Sequence, residues 1–200
     1  MRLAILTLLL VMAAGVLPAQ AGETRTATFA GGCFWCVEEA FDQVEGVIST
    51  TSGYTGGDQR HPTYKQVSAG GTGHAEAVEV AYDPQRVDYA TLLRAFWHNI
   101  DPFAENRQFC DAGNQYRSAI FYHDERQKQL AEQSRAALAK RFERPIATQI
   151  VPARDFWKAE TYHQDYYRKN PIRYHFYKAG CGREARLKEI WGDQAGRPGE

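Results

Sequence analysis

Residues 24–46, TRTATFAGGCFWCVEEAFDQVEG, constrain the fold more than any other stretch. Residues 24–30 alternate polar and apolar side chains at the period of a strand. Gly31 and Gly32 break the strand, and the period then changes. Phe34, Val37, Phe41 and Val44 recur at helical spacing, and Gly46 marks the stop. The pattern predicts a strand, a glycine turn and a helix over residues 33–45. It sets two thiols, Cys33 and Cys36, around a Phe34-Trp35 pair at the helix start.

That placement has chemical consequences. A sulfur at a helix start faces free backbone N–H groups and the positive end of the helix dipole, so the Cys33 pKa is expected below its usual value of about 8.5. Cys36 lies on the same helix face and within reach for a disulfide. Three uses compete: a metal site, a disulfide-exchange pair, and a thiol that attacks an apolar substrate. A buried or permanently stapled pair is the plain alternative. Zinc is poorly served, because Cys110 and Cys181 would have to supply the second half of a four-ligand site singly. His74-Ala75-Glu76 imitates the H-x-E of zinc deaminases, but there a P-C-x-x-C follows the H-x-E; here the C-x-x-C precedes it. Val37 rather than His follows Cys36, which excludes covalent haem attachment.

The chain has 200 residues. After Arg2 comes an apolar run over residues 3–17, then Ala19-Gln20-Ala21. A positive start, an apolar middle and an A-x-A ending predict a secretory signal peptide over residues 1–21. The run is shorter than the ~20 residues that span a membrane. Residues 22–191 then make one catalytic domain, with a flexible tail over 192–200. Without Arg2 the 24 basic residues become 23 against 24 acidic ones, a net charge of −1, which excludes a nucleic-acid footprint. A secreted or periplasmic location would let disulfides persist among the four cysteines, though three pairings remain open.

Further along, strands are expected over residues 47–52, 74–82, 115–122 and 146–151. Helices are expected from Asp88 to His98 and over residues 124–143, 158–169 and 183–191. The order predicts an α/β or α+β domain of two layers, a mixed sheet covered by helices and joined by long loops. In the strand over 74–82, Glu76 shares a face with Val78 and Val80. If that face is the core, burial raises the Glu76 pKa and makes it a proton donor. The opposite face carries three alanines and is the rival core. Tyr64, Tyr116 and Asp111 sit in or beside loops that could line a pocket.

Taken together, GGCFWCVEEAF, GYTGG with HPTY, GTGHAEAVEVAYDP, DAGNQYRSAIFY and AETYHQDYY resemble the A-type peptide methionine sulfoxide reductases. The resemblance runs from about residue 24 to beyond residue 170. It implies a two-layer α/β sandwich with a mixed sheet. It implies Cys33 as nucleophile, Phe34 and Trp35 around the substrate's S-methyl group, and Glu76, Tyr64 and Tyr116 around the sulfoxide oxygen. Asp111 matches a pocket aspartate. The expected reaction reduces the S epimer of methionine sulfoxide, with no metal or organic cofactor and a thioredoxin-like dithiol protein as donor. The expected partners are oxidised proteins or peptides and that donor, with no nucleic acid, no stable membrane insertion and a monomeric chain. Many members of the family have glycine where Cys36 stands and use a cysteine in a C-terminal segment. Here Cys36 is expected to resolve the sulfenic acid first, with Cys110 and Cys181 as relay or staple. A general thiol-disulfide oxidoreductase is the rival enzyme, and a small zinc module the rival non-enzyme.

Overall fold

A computed structural model describes residues 22–198 of the chain, so the expected signal peptide over residues 1–21 lies outside the described residues. The elements follow the predicted alternation. They are β1 (Arg25–Gly31), α1 (Phe34–Asp42), β2 (Val47–Thr55), α2 (Tyr64–Ser68), β3 (Ala75–Tyr82), α3 (Tyr89–Trp97), β4 (Arg107–Gln108) and β5 (Asp111–Ala112). Then come β6 (Ser118–Tyr122), α4 (Glu125–Phe142), β7 (Gln149–Pro152), β8 (Trp157–Lys158), α5 (Tyr166–Lys169), α6 (Pro171–Gly180) and α7 (Arg183–Trp191).

Six strands form one mixed sheet in the order β7-β6-β1-β3-β2-β8. β6 and β7 run parallel, and the other neighbours are antiparallel. The helical face holds the larger core. Phe29 of β1 stacks on Phe41 of α1 at 4.8 Å and on Phe96 of α3 at 5.2 Å. All three rings are buried, and burial of each stabilises the fold by roughly 1.5–3 kcal/mol. Asp88 caps α3 through the Thr91 amide at 2.7 Å, as its position predicts.

Both faces of β3 turn out to be covered at the site end. Glu76, Val78 and Val80 are buried on the helical side, and Ala75 and Ala77 are buried on the other. There Phe121 and Phe156 close over a floor of alanines, which is why that face carries such small residues. The alternation therefore placed Glu76 on the correct face, while Glu79 is only half-buried.

The region after β7 departs from expectation. Residues 158–169 do not form one helix: β8 joins the sheet edge, a 3-10 turn spans Thr161–His163, and α5 begins after Asp165 in a left-handed conformation at φ 53°. α6, which starts with Pro171 at its first turn, was not anticipated. The stretch read as a flexible tail begins with a 3-10 turn over Gly192–Gln194, and the Gly196 amide donates to the His98 carbonyl at 2.9 Å.

Candidate active site

The site is built on the glycine turn between β1 and α1. Gly32 has φ +85°, and a Cβ there would lie 2.5 Å from the Gln108 Cβ. Only glycine lets the turn pass under the β4–β5 hairpin. The turn delivers Cys33 as the N-cap of α1 and Cys36 at the third helical position. The amides of Cys36 and Val37 both bond the Cys33 carbonyl, so the helix fixes the first thiol against the second.

The first helical amide is used differently. Phe34 N–H donates to the Glu76 Oε2 at 3.1 Å. Glu76 comes from β3, opposite Tyr54 of β2, and is 2% exposed. Burial dominates its chemistry and pushes its pKa up to about 8, against the Phe34 hydrogen bond. The carboxyl is thus a neutral acid at pH 7, as the burial argument required.

A cavity of about 260 Å³ joins these groups. Cys33, Phe34, Trp35, Tyr64, Glu76, Asp111 and Tyr116 all line it, so every expected substrate-contacting residue is brought together. Cys36 is behind the wall and absent from the lining. Two further residues, Arg173 and Tyr177, enter from α6. They were missed with their helix; Pro171, suited to a first helical position, was the available signal.

The aromatic wall is held from several sides. Trp35 stacks on Tyr166 at 3.7 Å and meets Tyr177 edge-on. Its indole N–H donates to His163 Nδ1 at 3.0 Å. Burial lowers the His163 pKa to about 4, so the ring is neutral and Nδ1 can accept. Tyr64 is placed by a capping box at Thr63 and Gln66, and its amide donates to Glu160 at 2.8 Å. Tyr54 OH donates to the other Glu160 oxygen at 2.8 Å. Burial pushes the Tyr64 pKa up to about 12 and raises that of Tyr116, so both hydroxyls keep their protons.

The thiols correct one expectation. Cys33 is 6% exposed and Cys36 4%. Burial, followed by the neighbouring Cys36, raises the Cys33 pKa well above its ordinary value. The hydrogen bond from Cys33, together with Arg183 nearby, lowers Cys36 to about 6. The helix-dipole argument neglected both desolvation and the second sulfur. In the resting pair the negative charge sits on Cys36, and Cys33 keeps the proton.

Cys110 and Cys181 form a disulfide, while Cys33 and Cys36 are free thiols. Of the two uses expected for Cys110 and Cys181, relay and staple, both include this bond. Cys110 lies in the tight turn between β4 and β5, and Cys181 caps the end of α6. Together with Asp111 they are close enough to hold a metal, but joined sulfurs offer no thiolate, and the zinc reading loses half its ligands.

The geometry agrees with what known proteins show. The model of the family "Peptide methionine sulfoxide reductase" matches residues 25–195. A peptide methionine sulfoxide reductase MsrA of Bacillus licheniformis is 48% identical over 174 residues, covering 86% of this chain and 96% of that protein. Among solved structures, reduced Mxr1 from Saccharomyces cerevisiae superposes with a TM-score of 0.71 at 31% identity, covering 74% of this chain and 86% of that one. Mxr1 in complex with Trx2 has the same fold, with a TM-score of 0.53 at 20% identity over 76% of this chain and 90% of that one. With a family match over most of its length and a relative sharing nearly half its residues, the chain belongs to the A-type peptide methionine sulfoxide reductases.

Proposed function

We propose that the cavity reduces the S epimer of methionine sulfoxide, in proteins and as the free amino acid, with Cys33 as nucleophile and Glu76 as proton donor. Methionine sulfoxide reduction is the activity of the family. One observation carries the assignment of roles: a thiol, an aromatic wall and a carboxyl kept neutral by burial share one cavity.

The substrate methyl packs against Phe34 and Trp35, and the oxygen meets Glu76, Tyr64 and Tyr116. Sulfoxide oxygen leaves only once protonated. Glu76 gives its proton to that oxygen as Cys33 attacks sulfur. The Cys33 proton passes to the Cys36 thiolate as attack begins. Tyr64 and Tyr116 donate hydrogen bonds as the S–O bond polarises. Methionine leaves, and Cys33 becomes a sulfenic acid. Cys36 then attacks the Cys33 sulfur, the oxygen departs as water, and a Cys33–Cys36 disulfide forms. One sulfoxide and two thiols yield one thioether, one disulfide and one water. A thioredoxin-like dithiol protein resets the pair by exchange, a partner supported by the complex of Mxr1 with Trx2. These steps call on no metal or organic cofactor.

General disulfide exchange fits less well. Cys33 is nearly buried beneath aromatic rings, and a neutral Glu76 has no task in that reaction. A periplasmic or secreted location is supported by the apolar N-terminal run and by a Cys110–Cys181 disulfide that an oxidising compartment would preserve. Mass analysis of the exported chain tests it: a mature N-terminus at Gly22 is expected, and an intact Met1 outside the cytosol would overturn the cleavage.

The activity test uses the chain from Gly22 with dithiothreitol and the separated epimers of a blocked methionine sulfoxide. Conversion of the S epimer alone, lost in Cys33→Ser, is the expected result. Equal conversion of both epimers, or full activity in the variant, would defeat it.

A further inference from the structure

A second cavity, of about 370 Å³, reaches the other half of the cysteine pair. Cys36 lines it and Cys33 does not; Cys33 lines the sulfoxide cavity and Cys36 does not. The pair is therefore approached from its two ends. α6 divides the two spaces, with Tyr177 on the substrate side and Lys178 on the other. α7 and the segment after it complete the rear wall through Arg183, Lys188 and Ala195. Cys36 is buried at the floor, and Lys188 and Gly196 are exposed at the rim. The volume falls within the roughly 300–1,000 Å³ of small-ligand pockets.

The position matters because of how disulfides break. A thiolate attacks one sulfur along the line of the S–S bond, from the side away from the leaving sulfur. For a Cys33–Cys36 disulfide, attack on Cys36 must come from the side away from Cys33. The rear cavity, lined by Cys36 and not by Cys33, is the space from which that sulfur is reached without passing the substrate cavity.

Its charge favours one class of thiol. Glu39 is held by Lys178 at 2.6 Å and by the Tyr174 hydroxyl at 2.6 Å. Arg183, 4% exposed, donates to the carbonyls of Asn99 at 2.7 Å and Gly31 at 3.3 Å. Those acceptors are neutral and leave its positive charge standing. Lys188 brings the lining to three cations against the two carboxylates of Glu39 and Glu184.

We propose that the rear cavity binds a low-molecular-weight thiol bearing a carboxylate and delivers its sulfur to Cys36, as a second route of reduction beside the protein donor. The proposal rests on the Cys33–Cys36 disulfide of the reading above. The guest thiolate attacks Cys36 Sγ, the S–S bond breaks, and Cys33 leaves with the electron pair as a thiolate. A second molecule attacks the guest sulfur of the mixed disulfide and releases Cys36 as a thiolate. Two guest thiols become one disulfide; of their two protons one goes to Cys33 and one to solvent, and their two electrons restore the resting pair. The lowered Cys36 pKa makes it a ready leaving group in the second step. Sulfoxide and reductant occupy different cavities and do not exclude each other.

The test begins with the full chain and one equivalent of blocked methionine sulfoxide. Peptide mapping must find Cys33 joined to Cys36; without that disulfide the resolving role of Cys36 falls, and the rear route falls with it. With the disulfide formed, its reduction is timed with 3-mercaptopropionate, 2-mercaptoethanol and cysteamine. Each rate is divided by that thiol's rate on a small linear disulfide, which removes intrinsic reactivity. The carboxylate thiol is expected to saturate and to exceed cysteamine about five- to tenfold after this correction, the scale of one or two ion pairs. Lys188→Gln should narrow that gap. Ala195→Leu, which fills the cavity, should slow all three thiols while sparing the first turnover of sulfoxide. Dimethyl sulfone, which offers the front cavity the same methyl groups but does not oxidise the reduced pair, should leave the reduction rates unchanged. Equal corrected rates, no effect of Ala195→Leu, or competition by dimethyl sulfone would each overturn the proposal.

Discussion

Tyr177 donates its hydroxyl to Asp111 Oδ2 across the substrate cavity. A covalent clamp stands beside that bond: Asp111 follows Cys110, and Tyr177 precedes Cys181 by one helical turn. Tyr177 also lies beside Cys33, and when its single hydroxyl proton turns from Asp111 to the sulfur it favours the thiolate against the larger effect of burial. Tyr177→Phe removes both interactions and leaves the ring against Trp35. We expect kcat/KM to fall about tenfold, the worth of one hydrogen bond to a charged group. In a Cys36→Ser background, the pH at which Cys33 becomes alkylated should rise. An unchanged alkylation profile would reduce Tyr177 to a packing role.

The Cys110–Cys181 disulfide closes a loop with a sequence separation of 71. Chain entropy assigns such a bridge about 4 kcal/mol. Cys110→Ser is expected to lose much of that in urea unfolding. Wild type in dithiothreitol should melt like the variant, whose own melting temperature should ignore the reductant. Identical melting of oxidised and reduced wild type would show that the clamp contributes nothing to stability.

Glu76 ties both rate and stability to pH, and Glu76→Gln should release both from it. Its folded pKa of about 8 lies above the ordinary carboxylate value because burial disfavours the charge. Its stabilisation is therefore complete below about pH 4 and declines as pH rises to about 8, beyond which it is flat. The catalytic proton is lost over the upper part of that range, so kcat/KM should fall above about pH 8. Glu76→Gln keeps an acceptor for Phe34 N–H but has no proton to give. It should lose roughly 10²–10⁴ in rate at pH 7 and be more stable than wild type at pH 9. A variant less stable at pH 9, or one retaining the alkaline fall in residual activity, would contradict this assignment.

The part of the site nearest Cys33 was legible because local rules and tertiary structure agree there. The glycine break, the helical face and the alternation of β3 all survive folding. The rest was hidden where one rule opposed another. Cys33 looked acidic from the helix start alone; only the depth of burial and the shared proton reverse that. Residues 158–169 have a helical look, but Trp157 and Lys158 are drawn into the sheet by Tyr54 and Gly53. Nothing local announces that pairing. The same misreading concealed the role of His163, whose partner Trp35 is 128 residues away, while Tyr177 and Arg173 were missed with α6.

Cys36→Ser separates the first chemical step from the second. Cys33 can still attack sulfoxide, but no second sulfur is beside it; Cys110 and Cys181 are already joined. One equivalent of methionine per chain is expected, followed by arrest with a thioredoxin-like donor and trapping of the sulfenic acid by dimedone. The thiolate that receives the Cys33 proton is gone too, so that single turnover should be slower than in wild type at pH 7. Continued turnover with the protein donor would remove Cys36 from the resolving step.

Two alanine substitutions test the turn that aims Cys33. At Gly32, φ +85° already disfavours a side chain, and the new Cβ would meet Gln108 at 2.5 Å. Gln108 has no room to yield: it is fully buried, it accepts from the Asp101 amide at 2.9 Å, and it donates to the Asp101 carbonyl at 2.7 Å. Gly32→Ala is expected to destabilise by about 2 kcal/mol or more and to lower kcat by tilting the start of α1. At Gly180, at the end of α6, a Cβ meets nothing within 4 Å, and the backbone is not left-handed. Gly180→Ala should stabilise by about 0.4–1 kcal/mol through the unfolded chain and leave kcat unchanged. Urea unfolding of the two variants side by side decides it. Equal effects would mean that the turn tolerates a side chain and that Cys33 is aimed by something other than Gly32.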